Sequence, residues 1–228
     1  MSSMRRLARF AAADCNVLVY DRRGYAGSAE VGAPYTVNAN VDDLCCILNE
    51  VSSEESFGVK DVYLFGHSLG GVVAVGASIK YAVKAIAVYE MPVPWLEKAV
   101  RTANSDNLVE TVTDPGQFAE RFMRRMVGDK VWDRLPEATK DLRRSEGGTL
   151  RSEMIDIRVE QPWNPAQVLT KIVVGYGERT VGHHVKNSQM VSTLFPNARL
   201  VELRDGRHGA HLADPQQLYE MVIRPILD

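Results

Sequence analysis

The sequence predicts an α/β fold: a mostly parallel sheet flanked by helices, with an all-helical segment inserted into it. Three observations predict this. Short apolar runs rich in β-branched residues alternate with stretches of helical periodicity, which is the pattern of a parallel sheet covered on both faces. That alternation stops between residues 92 and 165, where no strand pattern occurs. A chain of 228 residues with 45% apolar and 25% charged residues is also of a size and composition for one α/β domain carrying an insertion. The expected division is a core of residues 1–91 and 166–228 and a helical insertion of residues 92–165.

The first element is a helix in MSSMRRLARFAAAD, where Met4, Leu7, Phe10 and Ala11 share a face and arginines occupy the other. Its apolar part is short and is interrupted by Arg9, so it reads as an amphipathic surface helix and not as a signal peptide. CNVLVYD (15–21) reads as a buried strand ending in the turn-like RRGYAGS. Residues 35–51 place Val37, Val41, Leu44, Cys45 and Leu48 on one helical face. VYLFG (62–66) is the second strand, GGVVAVGASIKYA (70–82) a helix, and AIAVYE (85–90) the third strand. Within the insertion, Asp114 is placed to cap a helix with Pro115 at its first position. Phe118, Phe122 and Met126 share a face of that helix, and its arginines form a solvated one. Further helices are expected over 137–145 and 149–158, with Gly147 and Gly148 between them. Strands then return at KIVVGYG (171–177) and RLVELRD (199–205), and Asp214 and Pro215 open a closing helix.

Several function classes are disfavoured by composition. A net charge of −2 lacks the basic bias of a nucleic-acid binder. No apolar run approaches the length needed to span a membrane. Three cysteines, two of them adjacent, cannot form a disulfide framework, so a reducing, cytoplasmic setting is expected. Self-association is left open.

The chemistry concentrates at FGHSLGG (65–71). Gly66-His67-Ser68-Leu69-Gly70 fits G-x-S-x-G, and its context matters more than the pattern: an apolar strand enters it and an Ala/Val-rich helix leaves it. A serine on such a turn projects its hydroxyl above the sheet edge, and the helix N-terminus offers amides, that of Leu69 first, to a developing oxyanion. Such a serine still needs a base and an acid behind it.

VLVYDRRGYAGS, FGHSLGG and RDGRHGAHLADP together resemble the α/β-hydrolase fold family along the whole chain. They are similar to its strand and loop before the first large helix, its nucleophile elbow and its histidine loop, and residues 92–165 lie where that family inserts a helical cap. The resemblance implies Ser68 as nucleophile and His208 as base, with His211 pointing elsewhere. It implies hydrolysis of a small, fairly apolar carboxylic ester or related acyl compound through an acyl-enzyme, with no cofactor and a small molecule as substrate. Serine, where dehalogenases and epoxide hydrolases of the fold carry aspartate, argues against those two activities.

Two positions depart from the family pattern. After KIVVGYG the family carries G-x-x-D, whose Asp orients the histidine, whereas this chain reads Gly177-Glu178-Arg179-Thr180. Glu90, at the end of AIAVYE, and Glu178 are the two candidate replacements. The family also carries strands and a His-Gly loop, which supplies a second oxyanion donor, ahead of the helix that opens this sequence; a chain shortened at its start is the expectation. These departures keep open a second function, a non-catalytic binder with this fold. His67, Phe118, Phe122 and Trp132 are candidate substrate-binding residues, although His67 also shapes the elbow and core packing explains the aromatic three equally well. His183 and His184 form a loop pair with no third ligand spaced near them, so no metal site is expected.

Overall fold

The computed structural model describes residues 2–55, 58–96 and 108–227. In chain order the helices and strands are α1 (Arg5–Ala11), α2 (Val37–Ser53), β1 (Tyr63–His67), α3 (Leu69–Lys80) and β2 (Ala85–Tyr89). Next come α4 (Leu108–Thr111), α5 (Pro115–Val127), α6 (Asp129–Asp133), α7 (Glu137–Ser145) and α8 (Gly147–Val159). The chain closes with β3 (Lys171–Gly177), α9 (Gly182–Leu194), β4 (Ala198–Leu203), α10 (Ala210–Ala213) and α11 (Pro215–Leu218). Two compact units result: Met1–Tyr20, Asn38–Val93 and Pro162–Asp228 form one, and Asp21–Val37 with Pro94–Gln161 the other.

The first unit is a four-stranded sheet in the order β1-β2-β3-β4, parallel throughout. Because side chains alternate across a strand, Ala85, Ala87 and Tyr89 of β2 join Val173 of β3 and Val201 and Leu203 of β4 on one face. Leu7 and Ala11 of α1 and Leu218, Tyr219, Val222, Ile223 and Ile226 of the C-terminal run cover that face. The intervening residues Ile86, Val88, Ile172 and Val174 are fully buried on the other, where α3 and α9 pack. Asp214 opens the C-terminal run as expected, its carboxylate accepting from Gln217 N at 3.0 Å. No helix among the described residues is long and apolar enough to cross a membrane, and all three cysteines are free thiols.

Residues 15–21 are not a strand. They are apolar and β-branched, but β1 pairs only with β2 and no described strand offers them a ladder. None of them is buried, and Val17 and Leu18 are 39% and 56% exposed. Local preference for extended backbone does not make a strand without a partner.

The second unit takes in residues 21–37 and, of the 92–165 stretch, residues 94–161, of which residues 97–107 lie outside the described residues. Its α5 begins as the sequence predicts, with Asp114 accepting from Gln117 N at 2.7 Å and Pro115 at the first position. Gly147 and Gly148 belong to the first turn of α8, not to a linker before it. A Cβ on Gly147 would lie 1.9 Å from the Pro115 carbonyl oxygen, so glycine is what lets α8 pass close to α5. Residues 21–37 are tied to this unit by three carboxylates, Glu146 just before α8 and Glu153 and Asp156 on it, of which Glu146 and Glu153 are buried and need partners. Glu153 accepts from Arg22 and from the Tyr25 hydroxyl (2.6 Å), Glu146 from Ala26 N (3.0 Å) and Asp156 from Val37 N (2.7 Å).

Candidate active site

Between β1 and α3 the backbone turns at Ser68, whose φ of +53° and ψ of −128° lie outside the usual regions for an L-residue. Strain of this kind costs about 1–3 kcal/mol and persists only where neighbours fix it. Here Ser68 N donates to Tyr89 O at 2.9 Å, and Gly71 N donates to Ser68 O at 2.8 Å. Gly66 is required as well: a Cβ there would come within 2.3 Å of Gly70 O. The turn delivers Ser68 to the C-terminal edge of the parallel sheet, with the Leu69 amide opening a 12-residue helix directly behind it. The first amides of a helix have no intrahelical acceptor and are available to an anion.

Glu90 follows β2 with a positive φ of 49° and is fully buried. Its Oε1 accepts from Gly177 N at 3.0 Å, and its Oε2 accepts from Thr180 Oγ1 at 3.0 Å and from His208 Nδ1 at 2.7 Å. Burial alone would push this carboxyl up, but the His208 hydrogen bond, the charges of His184 and His208 and the Gly177 amide outweigh it. The net effect holds Glu90 below the usual carboxylate range. A carboxylate can only accept, so the His208 proton sits on Nδ1 and its Nε2 carries the lone pair. The loop bearing His208 is fixed by two further bonds: His67 Nε2 to His208 O (2.8 Å) and Tyr89 OH to Arg207 O (3.0 Å). Burial, and then the neighbouring His208 and His211, push His67 well below the ordinary histidine range. It is therefore neutral, and its Nε2–H donates to the carbonyl.

Of the two candidate carboxylates, then, Glu90 reaches His208 and Glu178 does not. Glu178 is exposed, and its Oε2 accepts from Asp205 N at 2.8 Å, bracing the turn after β4. Thr180, at the position where the resemblance would place an Asp, gives its hydroxyl to Glu90. His211 lies in α10, buried, with its ring 4.5 Å from that of His67 and its Nδ1 without a hydrogen-bond partner among the described residues. Burial and the nearby His208 push it down to about 4.

His183 and His184 are not in a loop; they open α9. His184 is buried, stacks on His208 with centroids 4.4 Å apart and planes 12° apart, and places Nδ1 3.9 Å from Glu90 Oε2. Its role was illegible in sequence because Glu90 and His208, the groups it meets, come from distant segments. With His183 on His184 (4.1 Å) and His67 on His208 (4.5 Å), the five histidines of the chain form one contiguous row. Ligand atoms of Glu90, His184 and His208 all lie within 4.8 Å of one another. Stacked, nearly parallel imidazoles do not aim their in-plane lone pairs at a common point, however, so the arrangement fits a metal poorly.

The aromatic candidates Phe118, Phe122 and Trp132 lie in the second unit. Trp132 and Phe118 are 0% and 1% exposed there. Phe122 is half-buried and stacks on Phe118 at 6.4 Å. Arg124 and Arg144 each sit 5.9 Å over the Trp132 ring while pairing with Glu120.

A sequence model of the Alpha/beta hydrolase family matches residues 2–221. A search of curated proteins returned no match. Among solved structures, a thermophilic esterase from Thermogutta terrifontis is similar at a TM-score of 0.71 and 17% identity, covering 96% of this chain and 82% of that one. A bromoperoxidase from Bacillus anthracis gives 0.71 and 18%, covering 96% and 84%. A lipase-esterase related protein from Clostridium acetobutylicum gives 0.69 and 16%, covering 96% and 86%. At these identities the likeness is one of fold.

Proposed function

The chain belongs to the alpha/beta hydrolase family, and from that premise we propose that it is a serine hydrolase acting on a small, fairly apolar carboxylic ester or related acyl compound. The observation that carries this reading is the 2.7 Å hydrogen bond from His208 Nδ1 to the buried Glu90 carboxylate. It commits the imidazole to the tautomer whose Nε2 can accept a proton, on the same sheet edge as Ser68. The similarity of fold to a protein described as an esterase agrees with it.

The chemistry follows from the roles of these groups. Ser68 Oγ attacks the acyl carbon while its proton passes to His208 Nε2. The resulting imidazolium is stabilised by Glu90, whose negative charge is fixed by the Gly177 amide and the Thr180 hydroxyl. The Leu69 amide, at the N-terminus of α3, donates to the oxyanion. Collapse expels the alcohol, which takes the proton from His208 and leaves an acyl-Ser68 ester. Water attacks that ester, again giving its proton to His208, and the acid product departs as Ser68 is reprotonated.

Turnover of short-chain p-nitrophenyl esters by the protein and by Ser68→Ala tests the reading. The expected result is hydrolysis that disappears with the Ser68 hydroxyl. Hydrolysis unchanged in Ser68→Ala refutes Ser68 as the nucleophile, and hydrolysis absent from the unmodified protein across acyl lengths refutes the reading in favour of a non-catalytic binder.

A further inference from the structure

We propose that His184 is a positioning residue for His208, holding the plane of its imidazole against the buried Glu90 carboxylate. This inference rests on the serine-hydrolase reading above.

One hydrogen bond cannot by itself orient a ring. The contact from His208 Nδ1 to Glu90 Oε2 fixes where Nδ1 lies but leaves the ring free to tilt about that bond, and tilting swings Nε2 away from the nucleophile. His184 removes the tilt: its ring lies nearly parallel to that of His208, 12° apart, with centroids separated by 4.4 Å. His208 also meets His67 at 4.5 Å and 44°, so its imidazole contacts two other imidazoles. His184 is itself immobile. It is 6% exposed, and it sits in the first turn of α9 with its backbone N donating to Val181 O at 2.9 Å. Its Nδ1, 3.9 Å from Glu90 Oε2, lies against the oxygen that accepts from His208 and Thr180. The α9 start thus contacts both halves of the acid–base pair without being either of them. Glu90, His208, His183 and His67 are among the ionisable groups that interact with His184.

Misplacement of a catalytic group by about 1 Å can cost on the order of 100-fold in rate. His184→Ala is therefore expected to lower kcat for a short-chain p-nitrophenyl ester roughly 10- to 100-fold, with KM changed less than about threefold because no binding contact is removed. His184→Phe, which keeps a flat ring in the same place, is expected to recover most of that loss. The downfield proton resonance of the His208–Glu90 hydrogen bond should be sharp in the unmodified protein and in His184→Phe, and broadened in His184→Ala. A merely structural residue would lower the melting temperature of both variants without this split.

If His184→Ala does not fold, His184→Leu, which fills the volume without an aromatic face, takes its place in the comparison with His184→Phe. A kcat in the Ala or Leu variant within threefold of the unmodified protein, or no recovery in a folded Phe variant, overturns the inference while leaving the serine-hydrolase reading intact. Absence of Ser68-dependent turnover in the unmodified protein overturns both, and is measured first.

Discussion

Replacing Glu90 by glutamine is the perturbation whose consequence the structure determines most closely. The carboxylate accepts hydrogen bonds from Gly177 N, Thr180 Oγ1 and His208 Nδ1. A glutamine must keep its oxygen toward Gly177, because the backbone amide can only donate. Its NH2 group then occupies the place of Oε2 and points two donors at Thr180 and His208. Thr180 can adapt, since a hydroxyl rotates to accept. His208 can adapt only by shedding its Nδ1 proton, which moves that proton to Nε2 and leaves no lone pair for Ser68. Both the tautomer and the stabilising charge are lost together. Amide replacement of the acid in such triads costs about 10,000-fold in kcat. Taking roughly 1,000- to 10,000-fold gives about 4–5.5 kcal/mol of transition-state stabilisation at ~1.4 kcal/mol per decade. Steady-state ester hydrolysis near neutral pH measures it, with Glu178→Gln as comparison and circular dichroism to establish folding. Glu178→Gln should stay within about twofold, since its carboxylate braces Asp205 and does not reach His208. A folded Glu90→Gln within tenfold of the unmodified protein would refute the assignment of the acid.

Two further outcomes follow from burial. His211 is pushed down to about 4 in the folded protein against roughly 6.5 unfolded, so the unfolded chain binds the extra proton between those values and stability falls as pH drops through that window. That difference corresponds to on the order of 3 kcal/mol; His211→Phe, which cannot charge, should flatten the fall of melting temperature between pH 6.5 and 4.5, and an unchanged slope contradicts it. Trp132→Ala should destabilise the fold by about 3–5 kcal/mol in urea titration, because a fully buried ring is replaced by a void; a folded, equally stable variant with raised KM would instead make Trp132 a ligand contact.

The parts legible in sequence are those decided locally. The elbow is readable because an apolar strand, the glycines flanking the serine and a small-residue helix force one conformation on a few consecutive positions. The caps at Asp114 and Asp214 were readable for the same reason: an acceptor and a proline beside it satisfy one helix end. What was not readable depends on partners far away along the chain. Glu90 and His208 are 118 positions apart, so which carboxylate served the histidine was undecided until both reached the sheet edge. Thr180 looked like a loss because its compensating carboxylate comes from another strand. His183 and His184 looked like a loop pair because α9, opening at Gly182 without a side-chain cap, lacks a clear start signal. Residues 15–21 failed in the opposite direction, having the composition of a strand but no described neighbour to pair with.

The central claim is that Ser68 is a nucleophile armed by His208 and Glu90, and covalent trapping tests it most directly. The protein, treated with a fluorophosphonate and digested, should yield by mass spectrometry a phosphonylated peptide modified at Ser68, formed far more slowly in His208→Gln and Glu90→Gln. An unmodified Ser68 peptide after prolonged treatment, or labelling at equal rate in all three proteins, would contradict it.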